Sequence, residues 1–295
     1  MLKAAGCSFL IVLALNAESP EANCGPHPLI PKPDFTFAVK TAYRQVEGGF
    51  EITLQNEEKY PLYVELRMQK LTGLESQNGA AFVVAVPAES EIVANRLRLK
   101  DPGGASYFTY RTDAYLHHPQ KFKPDKSIIY ELPYPAGLSV PVLQGYGGRF
   151  SHKDALNWHA LDFGMPRGTP ILAAREGIVV ASRSDMRWGG HDPALRSTID
   201  GAGNFVMVLH ADGTVGNYFH MRCGSIVLKS GDSVKAGDLL GESGSTGYSH
   251  PDFPHLHFVV RIPDEKNRFG GKTWPTLFRT KAGIMQLQEG KSYVK

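Results

Sequence analysis

The sequence predicts a mostly β protein built as two successive units, and three observations carry that expectation. The chain has 295 residues, the length at which a single hydrophobic core stops growing and chains divide into domains. Short apolar runs, several alternating with period two, recur between turn residues along most of the chain. Gly (31) and Pro (20) are above average, which favours strands and turns over long helices. The same composition closes other classes. At 42% hydrophobic and 21% charged residues, a disordered chain, a coiled coil and a many-pass membrane protein are excluded. With 32 basic and 29 acidic residues the formal net charge is +3, too balanced for the electrostatic footprint of a nucleic-acid binder.

Residues 1–17 have the three-part layout of a secretory signal peptide: Lys3, an apolar stretch from Phe9 to Leu15, and Ala17 before Glu18. The apolar stretch is too short to remain as a spanning helix, so export to the periplasm, cell envelope or medium is expected, with no stable membrane span after cleavage. Three cysteines are too few for a disulfide scaffold. Removal of the export segment takes Cys7 and leaves Cys24 and Cys223, a pair able to bridge in an oxidising compartment.

From residue 24 to 115 the apolar runs Phe35 to Val39, Phe50 to Leu54, Leu62 to Met68, Ala81 to Val86 and Ile92 to Leu99 alternate with turns. In Leu62 to Met68, Tyr63, Glu65 and Arg67 oppose Val64, Leu66 and Met68, as on a half-buried strand. The spacing and size predict an immunoglobulin-like β-sandwich. It carries no cluster of chemistry-bearing residues, so it reads as a packing or positioning module. Residues 116–135, rich in Pro and Lys, read as the linker.

From 136 to 295 an antiparallel β-sheet domain is expected. Its clearest element is a hairpin, Asn204 to Leu209 and Thr214 to Phe219 around Ala211-Asp212-Gly213. Further strands fit Ile171 to Ala173, Ile178 to Ala181, Ser225 to Leu228, Asp238 to Gly241 and Leu256 to Val260.

Eight of the 11 histidines lie between His152 and His257. In Pro254-His255-Leu256-His257-Phe258, strand alternation puts both imidazoles on one face and Leu256 and Phe258 on the other. A catalytic zinc needs three protein ligands and an open position for water. Asp162, His152, His159 and His220 are the candidates to complete such a site with this pair. His191, His210 and His250 read as loop, structural or rim residues, and no chemistry singles out Asn204.

The ordered motifs resemble the M23 (lysostaphin/LytM-type) zinc metallopeptidases. The resemblance rests on Leu161-Asp162-Phe163-Gly164-Met165-Pro166-Arg167-Gly168-Thr169-Pro170, on His210-Ala211-Asp212-Gly213-Thr214 with Tyr218-Phe219-His220, on Gly231 to Asp238 with Gly244-Ser245-Thr246-Gly247, and on Pro254 to Phe258. It covers roughly residues 140 to 260. The preceding sandwich is similar to the immunoglobulin-like module found before some M23 domains. The resemblance implies Zn2+ as cofactor, Asp162 and His257 as ligands, His255 as catalytic base and His220 as the second catalytic histidine.

For the remaining ligand the sequence departs from the family. The position four before Asp162 is Trp158, and His152 is preferred over His159, because Phe150-Ser151-His152 looks like a variant with a short insertion. His159, an odd number of residues from Asp162, would face away on a regular strand. The implied function is hydrolysis of stem or cross-link peptides of bacterial peptidoglycan, by zinc-activated water with a histidine general base. The rival expectation is an inactive M23-like domain that binds cell wall or activates an amidase.

Overall fold

Seven strands fill residues 39–115 of the computed structural model, which describes residues 37–118, 120–123, 125–193, 200–264 and 267–295. The expected export segment and Cys24 lie outside the described residues. The strands are β1 (Val39–Val46), β2 (Gly49–Asn56), β3 (Leu62–Thr72), β4 (Leu74–Ser76), β5 (Ala81–Val86), β6 (Ser90–Leu99) and β7 (Tyr107–Tyr115). They form two antiparallel sheets, ordered β1-β2-β6-β4 and β5-β3-β7. Alternation places Ile52 and Leu54 of β2 and Leu62, Val64 and Leu66 of β3 in one shared core. Strand β1 begins where the expected Phe35 to Val39 run ends. It is an edge strand exposed along Lys40–Gln45, so it carries no apolar periodicity to read.

The rest of the chain supplies β8 (Ile129–Glu131), β9 (Ser139–Gln144), β10 (Leu161–Gly164), β11 (Pro170–Leu172), β12 (Gly177–Arg183), β13 (Gly189–Gly190), β14 (Asn204–Leu209), β15 (Val215–Met221), β16 (Ser233–Val234) and β17 (Leu239–Glu242). After these come β18 (Gly247–Tyr248), β19 (His255–Asp264), β20 (Asn267–Trp274), β21 (Leu277–Thr280), β22 (Gly283–Met285) and β23 (Ser292–Val294). One nine-stranded sheet runs β16-β12-β14-β15-β19-β10-β9-β23, with β20 pairing along β19. The β14–β15 hairpin turns at residues 210–214, where Gly213 takes φ +83° and Asp212 Oδ1 accepts from Thr214 N. Among the described residues no helix is long and apolar enough to cross a membrane.

Two sequence expectations change. Ser225 to Leu228 is irregular rather than a strand: Ser225 Oγ donates to Arg222 O at 2.8 Å, closing a turn, while Ile226 drops into the core. Within residues 116–135, β8 pairs in parallel with β21, and Tyr130, Leu132 and Tyr134 are buried in the core of the C-terminal half. The segment reads as linker because its apolar residues are sparse and separated by Pro and Lys.

The large sheet separates two apolar clusters. Leu161 and Phe163 of β10, Val206 and Val208 of β14, and Leu256 and Phe258 of β19 point to one. The opposite face buries Phe205, Met207, Phe219 and Val259 in the cluster that includes the sandwich core. Asp162, His255 and His257, candidate site residues, occur on this second face.

Two other histidines are buried structural groups. His117 lies edge-on to Phe122 at 5.0 Å, and His210 Nδ1–H donates to Glu176 O at 2.7 Å. Burial pushes both imidazoles down to about 4. Each is therefore neutral when folded but titrates near 6.5 when unfolded, so its stabilising contribution is full above pH 6.5 and is lost as pH falls toward 4. Urea unfolding at pH 7.5 and pH 5.0 should show the acidic sample less stable, by on the order of 1 kcal/mol per pH unit for each group. Equal stability at the two pH values would contradict these buried neutral histidines.

Candidate metal centre and cleft

The β10–β19 register sets Asp162 opposite His257 and Gly164 opposite His255. Because Leu161, Phe163, Leu256 and Phe258 take the core face, Asp162, His255 and His257 are turned to the other. His152 comes from the turn after β9. Its ligand-type nitrogen joins the two strand residues: His152 Nε2 lies 3.3 Å from His257 Nδ1 and 3.3 Å from Asp162 Oδ1, and His257 Nδ1 lies 2.9 Å from Asp162 Oδ1. All three residues are buried, and together they could hold a metal ion.

The donor set fits a small tetrahedral cation. Ligands bound at 2.0–2.1 Å to such a centre stand ~3.3 Å apart, close to the separations present. Two imidazoles and one carboxylate are also a zinc-type combination. His152 Nδ1–H donates to Gly145 O at 2.8 Å, which fixes the tautomer and leaves Nε2 as the lone-pair nitrogen. Burial alone would raise the Asp162 carboxyl, but His255, His152 and His257 outweigh it and hold the group well below the usual carboxylate range. Burial likewise pushes His257 down to about 4, neutral at pH 7.

His159 is not brought to this centre. Its Nδ1 lies 2.9 Å from Thr273 Oγ1 on β20, and its ring packs edge-on to Tyr146. Trp158 is exposed and lies against Gly147. The ten-residue spacing from His152 to Asp162 is taken up by a loop folded around Asp154, whose Oδ1 accepts from Leu156 N and Asn157 Nδ2, both at 3.0 Å.

His220 reaches the same cleft by breaking strand alternation. Along β15, Tyr218 faces the core and Phe219 the site, where it stacks on His257 with centroids 5.6 Å apart. Regular alternation would send His220 back to the core. Instead His220 has φ +63°, a left-handed conformation that costs of order 1–3 kcal/mol in a non-glycine residue. The rotation puts its ring 4.9 Å from that of His255. His220 Nδ1–H donates to Thr246 O at 2.8 Å, leaving Nε2 as the acceptor. Burial, reinforced by His255 and His257, holds the imidazole well below its ordinary value, so it is neutral at pH 7. His255 Nδ1–H donates to Phe253 O at 2.9 Å, which leaves its Nε2 3.9 Å from Asp162 Oδ1.

The groups open onto a cleft of about 470 Å³ lined only by residues between Leu143 and Glu289. One wall is a cluster of rings around His191, whose centroid lies 5.3 Å from those of Phe150 and Tyr248 and 5.4 Å from that of His250, with Phe253 a further 4.8 Å from His250. His191 and His250 thus sit at the rim, and His210 is buried elsewhere.

Supporting residues that the sequence did not single out are Gln144 and Thr246, and Asn204 gains a role. Thr246 Oγ1 donates to Met221 O at 2.8 Å and accepts from Asn204 N at 2.9 Å. Asn204 ties Met186 to this bracket through Nδ2 and Oδ1, at 2.7 and 2.8 Å. Their chemistry is backbone anchoring, for which a lone Thr or Asn gives no sequence signal.

An antiparallel sheet thus presents a buried His/Asp/His triad that could hold a metal ion beside two further imidazoles. Residues 157–269 match the sequence model of Peptidase family M23. His152 lies just before the matched segment. The chain is 35% identical over 126 residues to the glycyl-glycine endopeptidase ALE-1 of Staphylococcus capitis, covering 43% of this chain and 26% of that protein. It is 33% identical over 101 residues to the peptidoglycan DD-endopeptidase ShyA of Vibrio cholerae, covering 34% and 19%. Among solved structures, the catalytic domain of a mutant of the prophage-encoded M23 protein EnpA from Enterococcus faecalis aligns at 28% identity and TM-score 0.35, covering 48% of this chain and 92% of that one. The chain thus spans about a quarter or less of the length of these curated relatives.

Gly244 keeps the strained His220 in place. A Cβ there would come 2.7 Å from Arg222 N and 2.9 Å from His220 O, both backbone atoms. Gly244→Ala should therefore lower the unfolding free energy by about 1–3 kcal/mol, read from urea denaturation; unchanged stability would mean that the backbone at His220 yields freely.

Proposed function

We propose that the C-terminal half is a zinc-dependent peptidase that hydrolyses peptide bonds in the stem or cross-link peptides of bacterial peptidoglycan. The observation that carries this reading is the convergence of the His152, Asp162 and His257 ligand atoms beside two imidazoles, His220 and His255, whose Nδ1 atoms are both tied to carbonyls. The substrate class follows the activities for which ALE-1 and ShyA are named.

His152 Nε2, Asp162 Oδ1 and His257 Nδ1 would hold the ion. When bound, zinc supplies Lewis-acid polarisation and lowers the pKa of water. His255, with Nδ1–H anchored and Nε2 toward the cleft, takes the proton from the attacking water and returns it to the leaving amine. His220, neutral and accepting at Nε2, orients that water by accepting a hydrogen bond from it. The aromatic wall holds the peptide in place and restricts water.

Export is part of the same reading. Cys223 is disulfide-bonded, a state characteristic of oxidising compartments, and its partner lies outside the described residues. The signal peptide at 1–17, the Cys24–Cys223 pairing and the immunoglobulin-like identity of the sandwich belong to this proposal. The rival, an inactive wall-binding or amidase-activating domain, has less support, since such domains typically lack part of the ligand or catalytic set.

Zinc content and peptide release from purified sacculi test the proposal together. His152→Ala, Asp162→Ala and His257→Ala should lose zinc and activity. His220→Ala and His255→Ala should retain zinc while turnover falls about 10²–10⁴-fold. Undiminished release by His257→Ala would sink the peptidase reading; stoichiometric zinc in the wild type without any peptide release would favour the inactive rival.

A further inference from the structure

We infer that Gln144 is a positioning residue for the metal centre, one side chain that orients the Asp162 carboxylate and fixes the turn delivering His152. Gln144 ends β9, is buried, and stands opposite Asp162 in the β9–β10 pairing. Its Nε2 donates to Asp162 Oδ2 at 2.9 Å and to Ser151 Oγ at 2.7 Å. Its Oε1 accepts from Phe150 N at 2.9 Å and Ser151 N at 3.0 Å. Two donors and two acceptor sites are a side-chain amide's full capacity.

The amide orientation is forced. Flipped, its NH2 would face two backbone N–H groups and its oxygen a carboxylate, so three of the four contacts would become repulsive, and only the Ser151 hydroxyl, able to donate or accept, could adapt.

The consequence for the metal centre is geometric. With Oδ2 engaged by Gln144, the oxygen left toward His152 and His257 is Oδ1, the atom at 3.3 and 2.9 Å from their nitrogens. The same amide pins residues 150–151, immediately before His152, and so sets the height of that imidazole and of the cleft wall that begins at Phe150. Gly148 leaves the room: a Cβ there would lie 2.2 Å from Gln144 Cγ. No other standard side chain combines this length with a donor on one side and an acceptor on the other. Asn is one methylene too short to reach both, and Met matches the length but has no donor.

The inference rests on the reading of the triad as a zinc site, and its test separates the two. Zinc affinity of Gln144→Met and Gln144→Asn is measured by chelator competition, alongside the Co2+ absorption spectrum and near-ultraviolet circular dichroism of the metal-free proteins. Folded variants should bind zinc 10–100-fold more weakly than wild type, with a shifted Co2+ band. Wild-type affinity and an unchanged Co2+ spectrum in both variants would overturn the positioning role while leaving the zinc site intact. Loss of the native fold in both would overturn it too, because Gln144 would then be a folding determinant. Failure of the wild type to bind one zinc would remove the site itself.

Discussion

The antiparallel pairing of β10 with β19 sets Asp162 opposite His257, and the same register sets Leu161 opposite Phe258. A strand slipped by one residue exchanges its two faces, which would drive a carboxylate and an imidazole into the core and expose Leu and Phe. The register is therefore held by apolar burial rather than by the triad. Leu161, Phe163, Leu256 and Phe258 are at most 1% exposed, and truncating a buried phenylalanine typically costs 3–5 kcal/mol. That burial offsets the unfavourable desolvation of the polar groups opposite. The core positions the chemistry, and the chemistry contributes little to the stability of the core.

Regular strands alone supply only part of the site. Alternation delivers Asp162, His255 and His257, but His152 needs a turn and His220 needs a left-handed residue. Both irregularities are stabilised by hydrogen bonds to backbone: His152 by Gly145 O, His220 by Thr246 O. The strain at His220 aims a neutral imidazole at the cleft from a strand position that would otherwise point inward. Thr246 and Asn204 brace that orientation through hydrogen bonds to the backbone of residues 221 and 186, and Gly244 leaves room for the His220 carbonyl.

Much of this was legible in the sequence, for physical reasons that differ by element. The HxH strand and the Asp-Gly hairpin follow from period-two alternation and turn chemistry, which are local. The edge strand β1 was not legible, because an exposed strand need not alternate. Ser225 to Leu228 was misread because an apolar run can fill a core from an irregular segment. The meeting of His152 with Asp162 and His257 depends on how the intervening loop folds around Asp154, a tertiary matter. Gln144 was invisible because a single buried amide has no sequence signature; only the pairing of β9 with β10 shows what it touches. The participation of β8 in the C-terminal core was likewise hidden, since its partner β21 lies far along the chain.

The buried two-histidine, one-carboxylate cluster that opens onto the cleft is proposed as a zinc centre. Zinc K-edge X-ray absorption on the zinc-loaded protein tests it most directly. One zinc per chain is expected, with a first shell of nitrogen and oxygen at about 2.0–2.1 Å and outer-shell scattering from two imidazoles. A sulfur shell near 2.3 Å, or scattering without imidazole contributions, would contradict it.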